Sequence, residues 1–292
     1  MKQTLFTAGG DLRQIYASNK LAGRFNVQIT GFEKDVFISE SIRYIDFDDM
    51  SQCFADYLLL PMPVSADGII LNAPYSKNSI SLSSIISTVK KGGIIFGGKI
   101  DSKSRDFFEK SGFETIDYLE REEFSVLNAV PTAEGAVQIA LEEMPTTLSG
   151  SEVLITGHGR ITKVLIKILK AMGCKITVAA RKYSDLAWAE VFGCRTIHIY
   201  EIQKTISDMS LVINTVPAMV LDKSILERAD PDCLIIDLAS KPGGVDFSAA
   251  AKLGIKVIWA LGLPGKTAPV TSGEIIADTV INILSERGLL YE

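Results

Sequence analysis

Two glycines, Gly157 and Gly159, stand in Val153-Leu-Ile-Thr-Gly157-His158-Gly159-Arg160-Ile161-Thr162, between an apolar run and a helical one. Such a turn does its chemistry with the backbone. The first glycine permits a tight turn, and the second lets the chain approach a pyrophosphate. The N–H groups and positive end of the following helix then hold the anion. One strand–helix–strand unit later, Ile176-Thr-Val-Ala-Ala180 runs into Arg181-Lys182. At that place, roughly 20 residues past the first glycine, an NAD site carries Asp or Glu for the ribose 2′-hydroxyl. Here no carboxylate opposes a 2′-phosphate, and two cations can pair with one, Arg181 bidentately. The motif therefore predicts a dinucleotide site built from Gly157, His158, Gly159, Arg160, Ile161, Arg181 and Lys182, with charges that favour NADP over NAD. A solvated Arg-Lys turn is the alternative. Thr162 occupies the third glycine position and is expected to hold helix and strand slightly further apart. His158 reads as a backbone spacer within the turn.

The elements that position this turn follow from periodicity. Ile161, Val164, Leu165, Ile168, Leu169 and Met172 recur at 3-and-4 spacing and form one helix face, which Gly173 ends. Further strands are predicted near Thr196–Tyr200, Leu211–Asn214, Leu234–Asp237 and Lys256–Trp259, making a six-stranded, doubly wound parallel sheet. Ligands of such sheets lie beyond the carboxyl ends of the strands. That rule adds Thr215, Val216 and Pro217 after one strand, and Asp237 and Ala239 after the next, to the cofactor-binding set. The Gly- and Pro-rich segment Ala260–Ser272 carries Lys266, Thr271 and Ser272 just before a helix predicted near Gly273. It reads either as an anion site or as an ordinary strand-to-helix turn.

The first thirty residues repeat the same unit. Thr4-Leu-Phe-Thr-Ala-Gly9-Gly10-Asp11 lies without gaps over Val153-Leu-Ile-Thr-Gly157-His158-Gly159-Arg160. In that alignment Asp11 falls opposite Arg160. A carboxylate at a helix start satisfies the dipole and repels phosphate. The nucleotide is therefore assigned to the second unit, and the first is expected to face the substrate. Asp11 is the candidate general base and Arg13 the candidate carboxylate clamp; the plainer alternatives are a helix cap and a solvated cation. Lys99, after the strand-like Gly93–Phe96 run, could face the cleft; a solvated loop lysine is the plainer reading and the one expected. Strands near Tyr57–Leu60, Ile94–Phe96 and Glu114–Asp117, and helices near Ser81–Lys90 and Lys103–Lys110, complete the first unit. A helix over Pro131–Met144 links the two. The last helix, with Ile275, Ile276, Thr279, Val280, Ile283 and Leu284 on one face, is expected to return to the first domain. The fold class predicted is α/β, with two Rossmann-like doubly wound domains: 1–128 plus 275–292, and 129–274.

A length of 292 residues accommodates two domains of ordinary size. Hydrophobic content of 47% with 22% charge is globular. A net charge of −5 and a pI near 5.3 argue against nucleic acid as a partner. No apolar run approaches a membrane span, and the start leads into a strand with no signal-peptide core. Four scattered cysteines without a C-x-x-C pattern read as reduced thiols of a cytoplasmic protein. His158 and His198 are the only histidines, so no metal site is expected.

Several further segments carry a resemblance. Gly9-Gly10-Asp11-Leu12-Arg13-Gln14, Asn128-Ala-Val-Pro131-Thr132-Ala-Glu134-Gly135, Ile213-Asn214-Thr215-Val216-Pro217, Asp237-Leu-Ala239-Ser-Lys241-Pro-Gly-Gly244 and Gly262-Leu-Pro264-Gly265 followed by Ala268-Pro269, Thr271 and Gly273 stand in this order. With them the chain resembles the A-subunit family of dipicolinate synthase, from spore-forming bacteria, over its whole length. The resemblance implies an NADP-dependent oxidoreductase that converts dihydrodipicolinate to pyridine-2,6-dicarboxylate in the mother cell. It also implies an oligomer with the flavoprotein-like B subunit of dipicolinate synthase. The small dicarboxylate substrate would be held by Arg13, Lys266, Thr271 and Ser272. Two positions depart from the pattern: Thr162 replaces the usual third glycine, and Val270 stands where lysine is frequent, a contact that Lys266 is placed to supply instead. Two other readings stay open: a non-catalytic NADP-binding subunit that supports its partner, and a homo-oligomeric dehydrogenase of the alanine- or hydroxyacid-dehydrogenase type.

Overall fold

Apolar runs such as Leu58-Leu59-Leu60 and Val153-Leu154-Ile155 are fully buried. Parallel strands covered by helices on both faces require this. The computed structural model describes residues 2–33 and 38–290. It divides into two compact units, Met1–Asn128 with Ala268–Glu292, and Ala129–Thr267.

The first unit contains β1 (Thr4–Ala8), α1 (Leu12–Leu21), β2 (Asn26–Thr30), β3 (Arg43–Tyr44), β4 (Ala55–Leu59), α2 (Leu82–Ile86), β5 (Val89–Gly97), α3 (Ser102–Lys110), β6 (Glu114–Asp117) and α4 (Glu122–Leu127). The second contains α5 (Ala129–Glu143), β7 (Glu152–Thr156), α6 (Arg160–Ala171), β8 (Lys175–Ala180), α7 (Tyr183–Val191), β9 (Arg195–His198), β10 (Leu211–Asn214), α8 (Lys223–Leu226), β11 (Leu234–Asp237), α9 (Phe247–Leu253), β12 (Val257–Trp259) and α10 (Leu263–Thr267). The chain then re-enters the first unit through α11 (Pro269–Glu286).

Both sheets have six parallel strands in equivalent order, β3-β2-β1-β4-β5-β6 and β9-β8-β7-β10-β11-β12. This is the two-fold, doubly wound α/β arrangement expected, with the order reversing beside β1 and β7, where ligands of such sheets bind. Each helix covers its sheet with the apolar face. On α6 the buried centre is Leu165, Ile166 and Leu169, while Ile161, Val164, Ile168 and Met172 flank it. On α11 all six residues of the expected face are buried.

Three boundaries differ from the sequence expectation. The helix expected over Ser81–Lys90 stops at Ile86. Thr88 folds back, its hydroxyl donating to the Ile85 carbonyl at 2.6 Å, and Val89 enters the sheet opposite Ala55. The segment expected as an open loop before Gly273 contains α10, because Gly135 lets it lie directly on α5; a Cβ at Gly135 would come within 2.6 Å of Thr267 Oγ1. Finally, α11 starts at Pro269 and not near Gly273, with the unit boundary at Ala268 in place of 275. Thr271 and Ser272 thus belong to the first unit and Lys266 to the second. The reason is contact between α11 and α1: a Cβ on Gly273 would meet the Arg13 carbonyl at 2.5 Å, Tyr16 Cβ at 2.7 Å and the Ala17 nitrogen at 2.9 Å.

That contact is testable. Gly273→Ala is expected to force α1 and α11 apart and cost about 1–3 kcal/mol, the usual range for overpacking. The measurement is urea unfolding, and an unchanged midpoint would show that the helices can separate freely.

Candidate functional site

The two glycine turns have the same backbone plan. The Gly9 N–H donates to the Thr30 carbonyl at 3.0 Å, and the Gly157 N–H donates to the Ala179 carbonyl at 2.8 Å. These bonds set the structural register, and it is one residue away from the gapless sequence alignment. Gly9 matches Gly157, and the N-cap Asp11 matches the N-cap Gly159, not Arg160. The hydrogen-bonded turn decides the register, whereas residue identity misplaced it.

At the first turn several backbone and side-chain groups bond within the protein. The Gly10 N–H donates to the Asn72 carbonyl at 2.8 Å and the Asp11 N–H to Gln14 Oε1 at 3.2 Å. The Asp11 carboxylate accepts from the Arg13 N–H at 3.0 Å and completes a capping box with Gln14. It also takes both arms of the Arg13 guanidinium, from Nε at 2.9 Å and Nη2 at 2.8 Å. Nη2 donates as well to the Met62 carbonyl at 3.1 Å. Arg13 is 6% exposed, so it is not a solvated cation. Its burial opposes the charge, but the bond to Asp11 and the fields of Asp11 and Tyr118 together hold the guanidinium above its ordinary value. Of the roles expected of Asp11, the helix cap is present, and its carboxylate, with a side chain 34% exposed, also pairs with Arg13.

At the second turn the N-cap is Gly159, which makes no side-chain cap hydrogen bond to α6. A Cβ added to Gly159 would meet open space, while one on Gly157, with φ +87°, would strike Thr215 Oγ1 at 2.6 Å. The open space beside Gly159 is where a pyrophosphate would approach the helix start. Thr162, in the third glycine position, is fully buried, and its hydroxyl lies 3.3 Å from that of Thr215. Thr215 in turn donates to the Thr156 carbonyl at 2.7 Å. A hydroxyl contact thus joins α6 to the loop after β10.

A cavity of about 650 Å³ opens beside this turn. Gly157, His158, Arg181, Lys182 and Val216 are on its wall, with Ala180, Tyr200, Gln203, Met219 and Ser224, which sequence reasoning missed. The missed residues come mainly from the turn after β9 and the loop before α8, segments without glycine motif or periodicity. Arg181 and Lys182 are exposed and make no ion pair among the described residues. The wall also includes Asp185, in the first turn of α7, and Asp222, whose carboxylate caps α8 through the Ile225 N–H at 3.1 Å. His158 packs its ring 6.0 Å from Phe192, and its Nε2 is buried with no partner among the described residues. Burial, against the opposing field of Asp185, lowers its pKa, which keeps the imidazole neutral in the turn.

Asp237 does not line this cavity. It is fully buried and accepts from Asn214 Nδ2 at 2.7 Å, the Ala239 N–H at 3.0 Å and the Gly244 N–H at 2.8 Å. Asn214 extends the network, accepting from the Thr156 hydroxyl at 2.5 Å and the Val216 N–H at 3.1 Å. Gly244 is required there, since a Cβ would fall 2.3 Å from Asn214 Nδ2. The direct cofactor role expected of Asp237 is thus corrected to one of bracing the loops after β10 and β11, and Ala239 lies buried within the second of them. Pro217 is exposed at the loop tip, and Gly159, Arg160 and Ile161 form the start of α6. Ser272 is buried, whereas Thr271 and Lys266 are exposed.

Two outcomes follow from these sites. Asp237→Asn leaves one of three buried donors without an acceptor and is expected to cost about 1–3 kcal/mol in denaturant unfolding. Calorimetry should find one mole of nicotinamide dinucleotide per chain, since Asp11 and the internal bonds close the first turn; two moles would refute that closure.

Known proteins share this organisation. Residues 5–119 match the family model described as the N-terminal domain of the dipicolinate synthase A subunit, and residues 129–239 that of the D-isomer specific 2-hydroxyacid dehydrogenase, NAD binding domain. The dipicolinate synthase A subunit of Bacillus subtilis (strain 168) is 29% identical over 281 residues, 95% of this chain and 94% of the relative. The crystal structure of the dipicolinate synthase A subunit from Bacillus halodurans superposes with a TM-score of 0.89 at 29% identity, covering 97% of this chain and 98% of that one. The corresponding crystal structure from Bacillus subtilis gives 0.88 at 28%, covering 98% and 97%. No helix among the described residues is long and apolar enough to cross a membrane. With both units matched and the same fold over nearly the full length, the chain is similar throughout to the A subunits of dipicolinate synthase and carries a nicotinamide dinucleotide-binding unit in its second half.

Proposed function

We propose that this chain oxidises dihydrodipicolinate to pyridine-2,6-dicarboxylate with NADP, in the mother cell of a sporulating bacterium and in assembly with the flavoprotein-like B subunit of dipicolinate synthase. The observation that carries the cofactor choice is the end of β8. Ala180 stands where an NAD site has its ribose carboxylate, and Arg181 and Lys182 lie on the cavity wall, free of ion pairs among the described residues. A 2′-phosphate there meets two cations, and Arg181 has the planar fork for a bidentate contact.

The dihydropyridine loses one hydride from a ring carbon and one proton, and aromatisation of the ring favours the products. The bound dinucleotide supplies the hydride acceptor. The chain's own residues bind and orient. The open start of α6 takes the pyrophosphate, Thr215 and Val216 border it, and the Asp237–Asn214 network keeps the neighbouring loops in place. In the first unit Arg13 is preset by Asp11 to receive a substrate carboxylate, so no conformational search is needed on binding. Thr271, exposed at the start of α11 in the same unit, is a candidate for a further carboxylate contact. The proton is released to water.

Titration with each cofactor is expected to show NADPH tighter than NADH by about 1–3 kcal/mol, the range of charge-assisted bonds. Equal affinities would reject NADP specificity, and Arg181→Asp should narrow or reverse the preference. Freshly prepared dihydrodipicolinate should yield NADPH with the chain, alone or with the B subunit. Failure in both arms would reject the reaction itself.

A further inference from the structure

The loop after β5 holds its one lysine in a conformation that favours glycine. Lys99 has φ +52°, and it is the one non-glycine residue with positive φ among those described. The two preceding residues are glycines, so a glycine here would have suited the loop equally well. Lysine is present instead, and the surroundings enforce its backbone. The Lys99 and Ile100 N–H groups both donate to the Asp117 carboxylate, at 3.1 and 2.8 Å. Asp117 is 6% exposed, and it also caps the turn after β6 through the Leu119 N–H at 2.9 Å. Gly98 is wedged in place: a Cβ there would strike Tyr118 at 2.5 Å and Met62 Cβ at 2.7 Å. Backbone strain persists where the surrounding structure over-determines it, and such positions cluster at ligand sites.

Met62 ties this loop to Arg13. The residue against which Gly98 packs is the one whose carbonyl accepts from Arg13 Nη2. Both cations therefore lie at the carboxyl edge of the first sheet, Arg13 after β1 and Lys99 after β5, each leaning on the segment after β4. Arg13 is buried, with Nε and Nη2 occupied and no partner for Nη1 among the described residues. Lys99 is exposed and makes no ion pair among them. The carboxylates beside them, Asp11 and Asp117, are engaged in the bonds that hold the two loops. What the edge presents is positive charge with its own counter-charges already engaged.

We propose that Lys99 is the second cationic arm of a dicarboxylate site in the first unit, with Arg13 the fixed arm. This rests on the reading that the ligand is a ring dicarboxylate. Arg13 takes one carboxylate in a preset geometry, and the longer, more flexible Lys99 takes the other as a point charge. Lys99 is thus a specificity-determining residue that distinguishes a dicarboxylate from a monocarboxylate, the cleft-facing alternative of the two sequence readings.

The probes are pyridine-2,6-dicarboxylate and pyridine-2-carboxylate, titrated calorimetrically against the full chain. The wild type should bind the dicarboxylate at least about tenfold tighter than the monocarboxylate, the effect of one charge-assisted contact. Lys99→Met should abolish that ratio, leave monocarboxylate binding within about twofold and leave NADPH affinity unchanged. Lys99→Arg should keep most of the ratio, because the charge is retained. Lys99→Gly should lose the ratio while its thermal midpoint stays equal or rises, since it relieves the strained φ; this separates lost charge from lost folding. An unchanged ratio in Lys99→Met, or no dicarboxylate preference in the wild type, overturns the proposal. A ratio that collapses in Lys99→Met when the wild type fails to oxidise dihydrodipicolinate would reject the reaction and keep the site.

Discussion

The first N–H groups of an α-helix have no partner within the helix, and something must take them. In this chain the same strand–turn–helix is built twice, and the two copies satisfy that requirement in opposite ways. At α1 a carboxylate from Asp11 does it, in a reciprocal cap with Gln14. At α6 the N-cap is Gly159, which has no side chain to offer. The first helix start is electrostatically complete, and the second is left with a positive end facing open space. One side-chain difference at equivalent N-caps separates a closed turn from an open one, although sheet order and turn hydrogen bonding are shared.

The closed turn has a second consequence. Because Asp11 also grips Arg13, a buried guanidinium is held rigidly at the carboxyl edge of the first sheet. An unpaired buried cation would be costly, whereas one bonded to a carboxylate and a backbone carbonyl is tolerated. The helix cap and the buried arginine therefore depend on one another: removing the carboxylate would open the helix start and leave a buried charge unmatched.

In the second unit the corresponding rigidity comes from buried polar groups. Asp237 and Asn214 are both fully buried, yet every acceptor or donor described for them is matched within two loops and β7. A fully satisfied network of this kind fixes loop conformation where apolar packing alone would leave it adjustable. The glycines around it follow from the same constraint. Gly244 and Gly157 lie where any side chain would collide with Asn214 or Thr215, so their presence reflects close approach to polar groups as much as turn geometry.

The alternation of apolar runs with 3.6-period stripes was enough to read two doubly wound units, the dinucleotide turn and the buried face of the last helix, because those features are local and periodic. The cations after β8 were legible too, since their place is counted from the turn. Other features arise only when distant segments meet. The register of the two turns depends on a hydrogen bond to the neighbouring strand, so aligning identities missed it by one residue. Asp237 read as a ligand contact because its position at a strand end allows that, but three donors from two loops claim its carboxylate. The start of α11 was misplaced because Gly273 looked like a boundary, while its real purpose is close contact with α1. The backbone of Lys99 is likewise set from afar: Asp117, Tyr118 and Met62, each distant from it in sequence, hold its loop in a conformation that local sequence disfavours. Composition and spacing thus determined which elements form and where an anion can bind; long-range hydrogen bonds and steric contacts, which no local pattern encodes, decided which polar groups are free to act.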